Sequence, residues 1–147
     1  MHEVYMRQAL DLAEQAYSAG EAPVGAVVVL GGEVVGRGRN SAIAQHDPTA
    51  HAEILALREA CTRIGNYRLE GAALYSTLEP CVMCAGALVA SRVKTLIFAA
   101  RDIRFGGVRS KFRLADSELL NHRVEIVEGV LAVESVRLLQ NFFSARR

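Results

Sequence analysis

At 147 residues the chain has the length of one ordinary domain, and its 51% hydrophobic and 22% charged residues are those of a core-forming globular protein. A formal net charge of +1 excludes a global pull toward nucleic acid or anionic membrane, so any such contact must come from local clustering. No apolar run is long enough to span a bilayer, residues 1–7 lack the apolar stretch of a secretion signal, and three cysteines are too few for a disulfide framework, so a soluble cytoplasmic protein with no membrane contact is expected.

Residues 2–18 repeat apolar side chains at helical spacing (Tyr5, Ala9, Leu12, Ala13, Ala16, Tyr17), and Gly20 stands where such a helix would end. Residues 24–30 are a β-branched run, Gly31-Gly32 is a two-residue turn signal, and residues 33–39 read as a second strand. The first strand of this hairpin is apolar enough to lie inside a sheet. Asp47-Pro48-Thr49 predicts the start of the next helix, a capping side chain followed by a first-turn proline. Ile54, Leu55, Leu57, Ala60 and Ile64 are its expected buried stripe, and Gly65-Asn66 its end. A strand is expected at 72–78, then a helix from Pro80 to about Ser91 with Val82, Met83, Leu88 and Val89 inward, then a strand at 95–100. This alternation implies at least one parallel pair. Residues 101–113 form a polar, glycine-containing loop, followed by a short helix at 114–120, a strand at 124–127 and a final helix at 131–143. The expected fold is a single α/β domain over residues 1–147, a three-layer α/β/α sandwich whose mixed five-stranded sheet carries helices on both faces.

The chemistry concentrates in His51-Ala52-Glu53 and Pro80-Cys81-Val82-Met83-Cys84. One imidazole and two thiols are ligands that Zn²⁺ prefers, and three protein ligands leave the fourth position to water, as in catalytic sites. Cys81 and Cys84, three apart on a helix, point to one side of its first turn, where the positive helix end favours thiolates. His51 and Glu53 are two apart, about 200° around a helix, and meet a common object only beyond its N-terminal end. Both helices are therefore expected to aim their N-termini at one metal. A C-x-x-C alone would also suit a dithiol redox centre, but such a centre has no use for His-x-Glu. Zinc lowers the pKa of bound water to about 7. A carboxylate at Glu53 can then move that water's proton to a ring nitrogen and a leaving amine, which describes hydrolytic deamination of a heteroaromatic ring. Cys61 is expected to pack inside a helix as a small hydrophobe.

Between Arg101 and Arg113 stand five basic residues and one acidic, a local charge of +4 in a chain whose total is +1. Clustered positive charge beside a pocket suits a phosphate backbone. Phe105, Phe142 and Phe143 are candidates to stack on splayed bases. The alternatives are a solvated loop and core phenylalanines, and of the adjacent Phe142 and Phe143 at most one can face fully inward. Arg146 and Arg147 either extend the basic surface at the C-terminus or are mere tail.

H-A-E followed by P-C-V-M-C is the H-x-E…P-C-x-x-C signature known for zinc nucleobase deaminases, and on this frame the chain resembles the cytidine deaminase superfamily. Within it the chain is similar, almost end to end, to the bacterial tRNA-specific adenosine deaminases. The matching pieces are Pro23-Val24-Gly25-Ala26-Val27, Gly38-Arg39-Asn40, Asp47-Pro48-Thr49-Ala50-His51-Ala52-Glu53, Thr77-Leu78-Glu79-Pro80-Cys81-Val82-Met83-Cys84-Ala85-Gly86, Ala100-Arg101-Asp102, Asn121-His122-Arg123-Val124-Glu125 and Phe142-Phe143. The resemblance implies a cytidine deaminase-like fold and hydrolysis of the wobble adenosine of a tRNA anticodon loop to inosine, with release of ammonia. It implies one Zn²⁺ per chain with water as fourth ligand, a tRNA anticodon stem-loop as partner, and a homodimer whose interface helps build the RNA groove. It also implies His51, Cys81 and Cys84 as ligands, Glu53 as proton shuttle, Asn40 bonded to the nucleoside, Val24 lining the base pocket and the Ala52 main chain at the base edge. Asp102, Arg104, Phe142 and Phe143 are the expected contacts on the RNA side. The chain departs from the family after Arg101-Asp102, where a Lys-containing Gly-Ala-Ala-Gly-Ser-like loop is common. Here Ile103-Arg104-Phe105-Gly106-Gly107-Val108-Arg109-Ser110 keeps the charge through Arg104 and introduces the bulkier Val108 and Arg109.

The rival enzyme reading is a deaminase of a free base or nucleoside, of guanine or cytosine type, which needs no basic loop and suits a more closed pocket. A zinc-stabilised RNA-binding module without catalysis is a third reading, for which Glu53 has no purpose.

Overall fold

The computed structural model describes residues 1–146; Arg147, half of the basic pair expected at the C-terminus, lies outside the described residues. Helix α1 (His2–Ser18) leads into the hairpin β1 (Gly25–Leu30) and β2 (Glu33–Arg39). A one-turn helix α2 (Ala42–Gln45), helix α3 (Ala52–Ile64), strand β3 (Ala73–Leu78), helix α4 (Val82–Ala90) and strand β4 (Thr95–Ala100) follow. Strand β5 (Glu125–Glu128) and helix α5 (Ala132–Ser144) come last. The five strands form one sheet in the order β2-β1-β3-β4-β5. β1 runs antiparallel to β2 and β3, while β3, β4 and β5 are parallel, so the sheet is mixed and the hairpin's first strand is interior.

Alternation along the strands divides the core between the two faces. Ala26, Val28, Leu74, Leu96 and Phe98 pack with residues of α3 and α4 on one face. Val27, Val29, Tyr75, Ile97 and Ala99 pack with Met6 and Ala9 of α1 on the other, where α5 also lies. α3 approaches β2 so closely that a Cβ at Gly36 or Gly38 would come within 2.2 or 2.1 Å of the Ala56 or Ala52 carbonyl oxygen. Only glycine permits that approach. The buried face of α3 is correspondingly Ala52, Ala56, Leu57 and Ala60, rather than the larger stripe expected, and Ile64 is exposed.

Several local expectations are corrected. The second long helix starts at Ala52 instead of near Asp47, because Asp47 Oδ1 accepts the Thr49 main-chain N–H (2.8 Å) and hydroxyl (2.7 Å) in a turn of its own. Residues 114–120 form turns rather than a helix. There Asp116 is engaged by Arg109, and the Ala115 carbonyl accepts the Val124 N–H at 2.9 Å. On α4 the inward positions are Cys84, Ala85, Leu88 and Val89, which leaves Val82 (47%) and Met83 (36%) exposed rather than buried. Cys61 is partly buried against the core, as expected, with its thiol 3.7 Å from the Tyr67 carbonyl. Among the described residues no helix is long and apolar enough to cross a membrane.

Candidate active site

Two helix N-termini meet at one point. His51 is the N-cap residue of α3, and Cys81 is the N-cap residue of α4. His51 Nδ1 lies 3.6 Å from Cys81 Sγ and 3.5 Å from Cys84 Sγ, and the three donor atoms all fall within 4.8 Å of one another. A tetrahedral zinc with ordinary Zn–N and Zn–S bonds requires N···S edges of about 3.6 Å. Both N···S edges therefore match that ion.

The donors also compete for protons. The hydrogen bond from Cys84, aided by His51, draws the Cys81 thiol down to about 4 despite burial. The Cys84 thiol moves up through that same bond and through burial, and the contact with Cys81 raises the His51 imidazolium above its ordinary value. A cluster of this kind exchanges protons for a cation on binding. Glu53, one residue into α3, is 4% exposed, and burial pushes its carboxyl up to about 7. Placed on the cavity wall beside His51, it is a group that can both accept and return a proton.

A cavity of about 530 Å³ opens over the donors, within the range of small-ligand sites. Val24, Asn40, Asp102, Arg104 and Phe143, all singled out from the sequence, line it together with Glu53. Asn40 Oδ1 accepts the Ala52 main-chain N–H at 2.9 Å, which orients the Asn40 amide and ties it to the first residue of α3. Phe142 does not reach the cavity. It is 5% exposed, meets Tyr17 edge-on at 5.6 Å and lies 3.5 Å beneath the Arg146 guanidinium, so its ring is committed to the contact between α5 and α1. Phe143 and Phe105, both more than half exposed on the cavity wall, carry its aromatic surface.

Residues 101–113 are not a solvated coil. Arg101 forms a bidentate pair with Glu128 (2.7 and 3.1 Å), and Arg109 forms one with Asp116 (3.0 and 2.8 Å). Two of the five positive charges are thus neutralised within the fold. Arg104 is turned over the Phe105 ring at 5.1 Å, and Asp102 Oδ1 accepts the N–H groups of Arg104 and Phe105. Val108, the bulkier residue in the departed loop, is fully buried in the core.

Sequence reasoning passed over Glu21 and Glu79, two nearly buried carboxylates. Glu21 accepts the N–H groups of Ile43 and Ala44 at the start of α2, next to Asn40. Glu79 holds the loop that carries Asp102 and Arg104. The signal for Glu79 was a charge ending an apolar strand immediately before Pro80. Leu139 of α5, also on the cavity wall, gave no signal beyond helical periodicity.

The family model described as MafB19-like deaminase matches residues 1–147. A tRNA-specific adenosine deaminase of Haemophilus influenzae is 50% identical over 146 residues, covering 99% of this chain and 84% of that protein. A solved structure from a study of A-to-I editing by tRNA:A34 deaminases at the wobble position superposes with a TM-score of 0.89 at 41% identity, covering 92% of this chain and 98% of that one. A guanine deaminase from Nitrosomonas europaea superposes with a TM-score of 0.84 at 26% identity, covering 97% and 84%.

Proposed function

The chain belongs to the MafB19-like deaminases and, among them, to the tRNA-specific adenosine deaminases, and from that membership we propose that it hydrolyses the wobble adenosine of a tRNA anticodon loop to inosine and ammonia. The observation that carries this reading is the group of His51, Cys81 and Cys84 with buried Glu53 on a cavity whose wall also bears Arg104 and exposed Phe143.

One Zn²⁺ per chain, held by His51 Nδ1 and the two sulfurs, would supply a Lewis acid that lowers the pKa of water at its open position to about 7. Glu53 takes a proton from the attacking water and passes it to the ring nitrogen N1 as the water oxygen bonds to C6. The second proton follows the same route to the exocyclic amine. The C6–N bond then breaks, C6 becomes a carbonyl, and ammonia leaves. Burial of Glu53 supports this relay, because desolvation favours the protonated carboxyl and so helps it take up the water proton before passing it on. The Asn40 amide, oriented by the Ala52 N–H, has its NH₂ free for the nucleoside, and Val24 packs against the base. Asp102, Arg104 and Phe143 contact the anticodon loop.

The enzyme acts in the cytoplasm on a tRNA anticodon stem-loop and works as a homodimer. Exposed Val82 and Met83, one and two residues beyond Cys81, support a partner copy near the site. The likeness to a guanine deaminase favours a second reading, turnover of a free base on the same frame. Incubating the zinc-loaded protein with an anticodon stem-loop carrying adenosine at the wobble position distinguishes the two: inosine in the RNA is expected, whereas turnover of free guanine with the RNA unchanged would assign the chain to the second reading.

A further inference from the structure

Glu79 is 1% exposed, precedes Pro80 and Cys81, and has no part in the reaction described above. Its carboxylate is nevertheless the best-satisfied acceptor on the substrate side. Oε1 accepts the Asp102 N–H at 3.1 Å and the Ser110 hydroxyl. Oε2 accepts the N–H groups of Val108 (3.1 Å), Arg109 (2.7 Å) and Ser110 (2.9 Å). The next residues continue the grip: the Pro80 carbonyl accepts the Gly107 N–H at 2.8 Å, and Cys81 bridges to Gly106. The wrap is tight enough that a Cβ at Gly106 would lie 2.3 Å from Glu79 Oε2.

A buried carboxylate is tolerated only when its lone pairs are satisfied. Here every donor comes from one loop, so the demand of the charge for partners selects one loop conformation. The same three-residue stretch carries a metal donor, Cys81. We propose that Glu79 is a positioning residue for RNA recognition, fixing Asp102, Arg104 and Phe105 relative to Cys81 so that a bound anticodon loop meets a preformed wall. This deepens, and rests on, the RNA deaminase reading. Preformation matters because a loop that must order on binding subtracts its ordering cost from affinity.

The test is Glu79→Gln in the full-length, zinc-loaded protein. Glutamine preserves shape but sets an NH₂ against main-chain N–H groups. With an anticodon stem-loop RNA as substrate, KM is expected to rise by roughly tenfold or more, the scale of losing charge-assisted hydrogen bonds. The kcat should change far less, zinc content should be unchanged, and trypsin should cut faster after Arg104 and Lys111. A residue serving stability alone would lower the melting temperature while the folded enzyme kept its KM and its resistant loop, and that result would overturn the proposal. If Glu79→Gln does not fold, Ser110→Ala and Gly106→Ala address the same clamp from the loop side. A raised KM and faster loop cleavage in both support it, and neither change in either variant overturns it. Should the unmodified protein leave the stem-loop unreacted, the substrate assignment fails, while loop cleavage in Glu79→Gln still decides whether the clamp exists.

Discussion

Glu53 and the three donors lie together, yet substitution should separate them. Replacing Glu53 by Ala removes the proton relay and no donor atom, so turnover is expected to fall by about 10²–10⁴-fold while zinc measured by metal analysis stays bound. Loss of zinc along with activity would make Glu53 a ligand instead. The arginines of the loop should separate too. Arg109→Ala breaks a bidentate pair in which the arginine side chain is 16% exposed, and is expected to cost about 1–3 kcal/mol in denaturant unfolding. Arg104→Ala should leave stability nearly unchanged, weaken RNA binding and flatten its salt dependence. Equal effects of the two on RNA affinity would refute this division. Phe142 and Phe143 divide in the same way. Truncating Phe142 to Ala should destabilise the fold by about 3–5 kcal/mol. Truncating Phe143 should cost about 1–3 kcal/mol of RNA binding instead. At this scale the donor set was legible, because ligand chemistry names residue types and spacings. Whether a basic residue faces water or Asp116 was not, because its partner is set by a turn the sequence does not mark.

Helix N-termini govern the element scale. His51 and Cys81, two of the proposed metal donors, are the N-caps of α3 and α4, so the positive ends of both helices face that group. The sequence pointed to two converging helices. It misplaced the start of α3, since Asp47-Pro48 resembles a helix opening but closes a separate turn. The buried face of α3 was misjudged for a related reason. Close packing against Gly36 and Gly38 calls for small residues, and a hydrophobicity pattern ranks isoleucine and leucine first. Gly38→Ala should therefore be destabilising, because its Cβ would meet the Ala52 carbonyl oxygen at 2.1 Å. An overpacking cost of about 1–3 kcal/mol or more is expected in chemical denaturation. A variant as stable as the parent would show that α3 can move outward freely. Glu21 does for α2 what a distant cap would do, and Glu21→Ala should cost about 0.5–2 kcal/mol while disturbing the neighbouring Asn40.

Taken whole, the molecule is a mixed sheet whose two faces bury separate clusters, with the donors and cavity beyond one end of β3. The layers were legible because strand and helix periods differ and the strand–helix–strand run implies parallel pairing. The cavity wall was only partly legible. It is assembled from the end of β2, the loop after β4 and α5, and contact between segments so far apart in sequence leaves no local pattern. Cys84 is buried, but neither apolar cluster includes a donor residue, so chelation should abolish turnover while leaving the circular dichroism spectrum largely intact, with activity restored by added zinc. Every role assigned to these residues serves one reaction, and the most direct measurement is nucleoside analysis of an anticodon stem-loop after incubation with the zinc-loaded protein and with its Glu53→Ala variant. Inosine at the wobble position, matched by ammonia released and absent with the variant, is the predicted result. An unreacted stem-loop alongside turnover of free guanine would contradict the account.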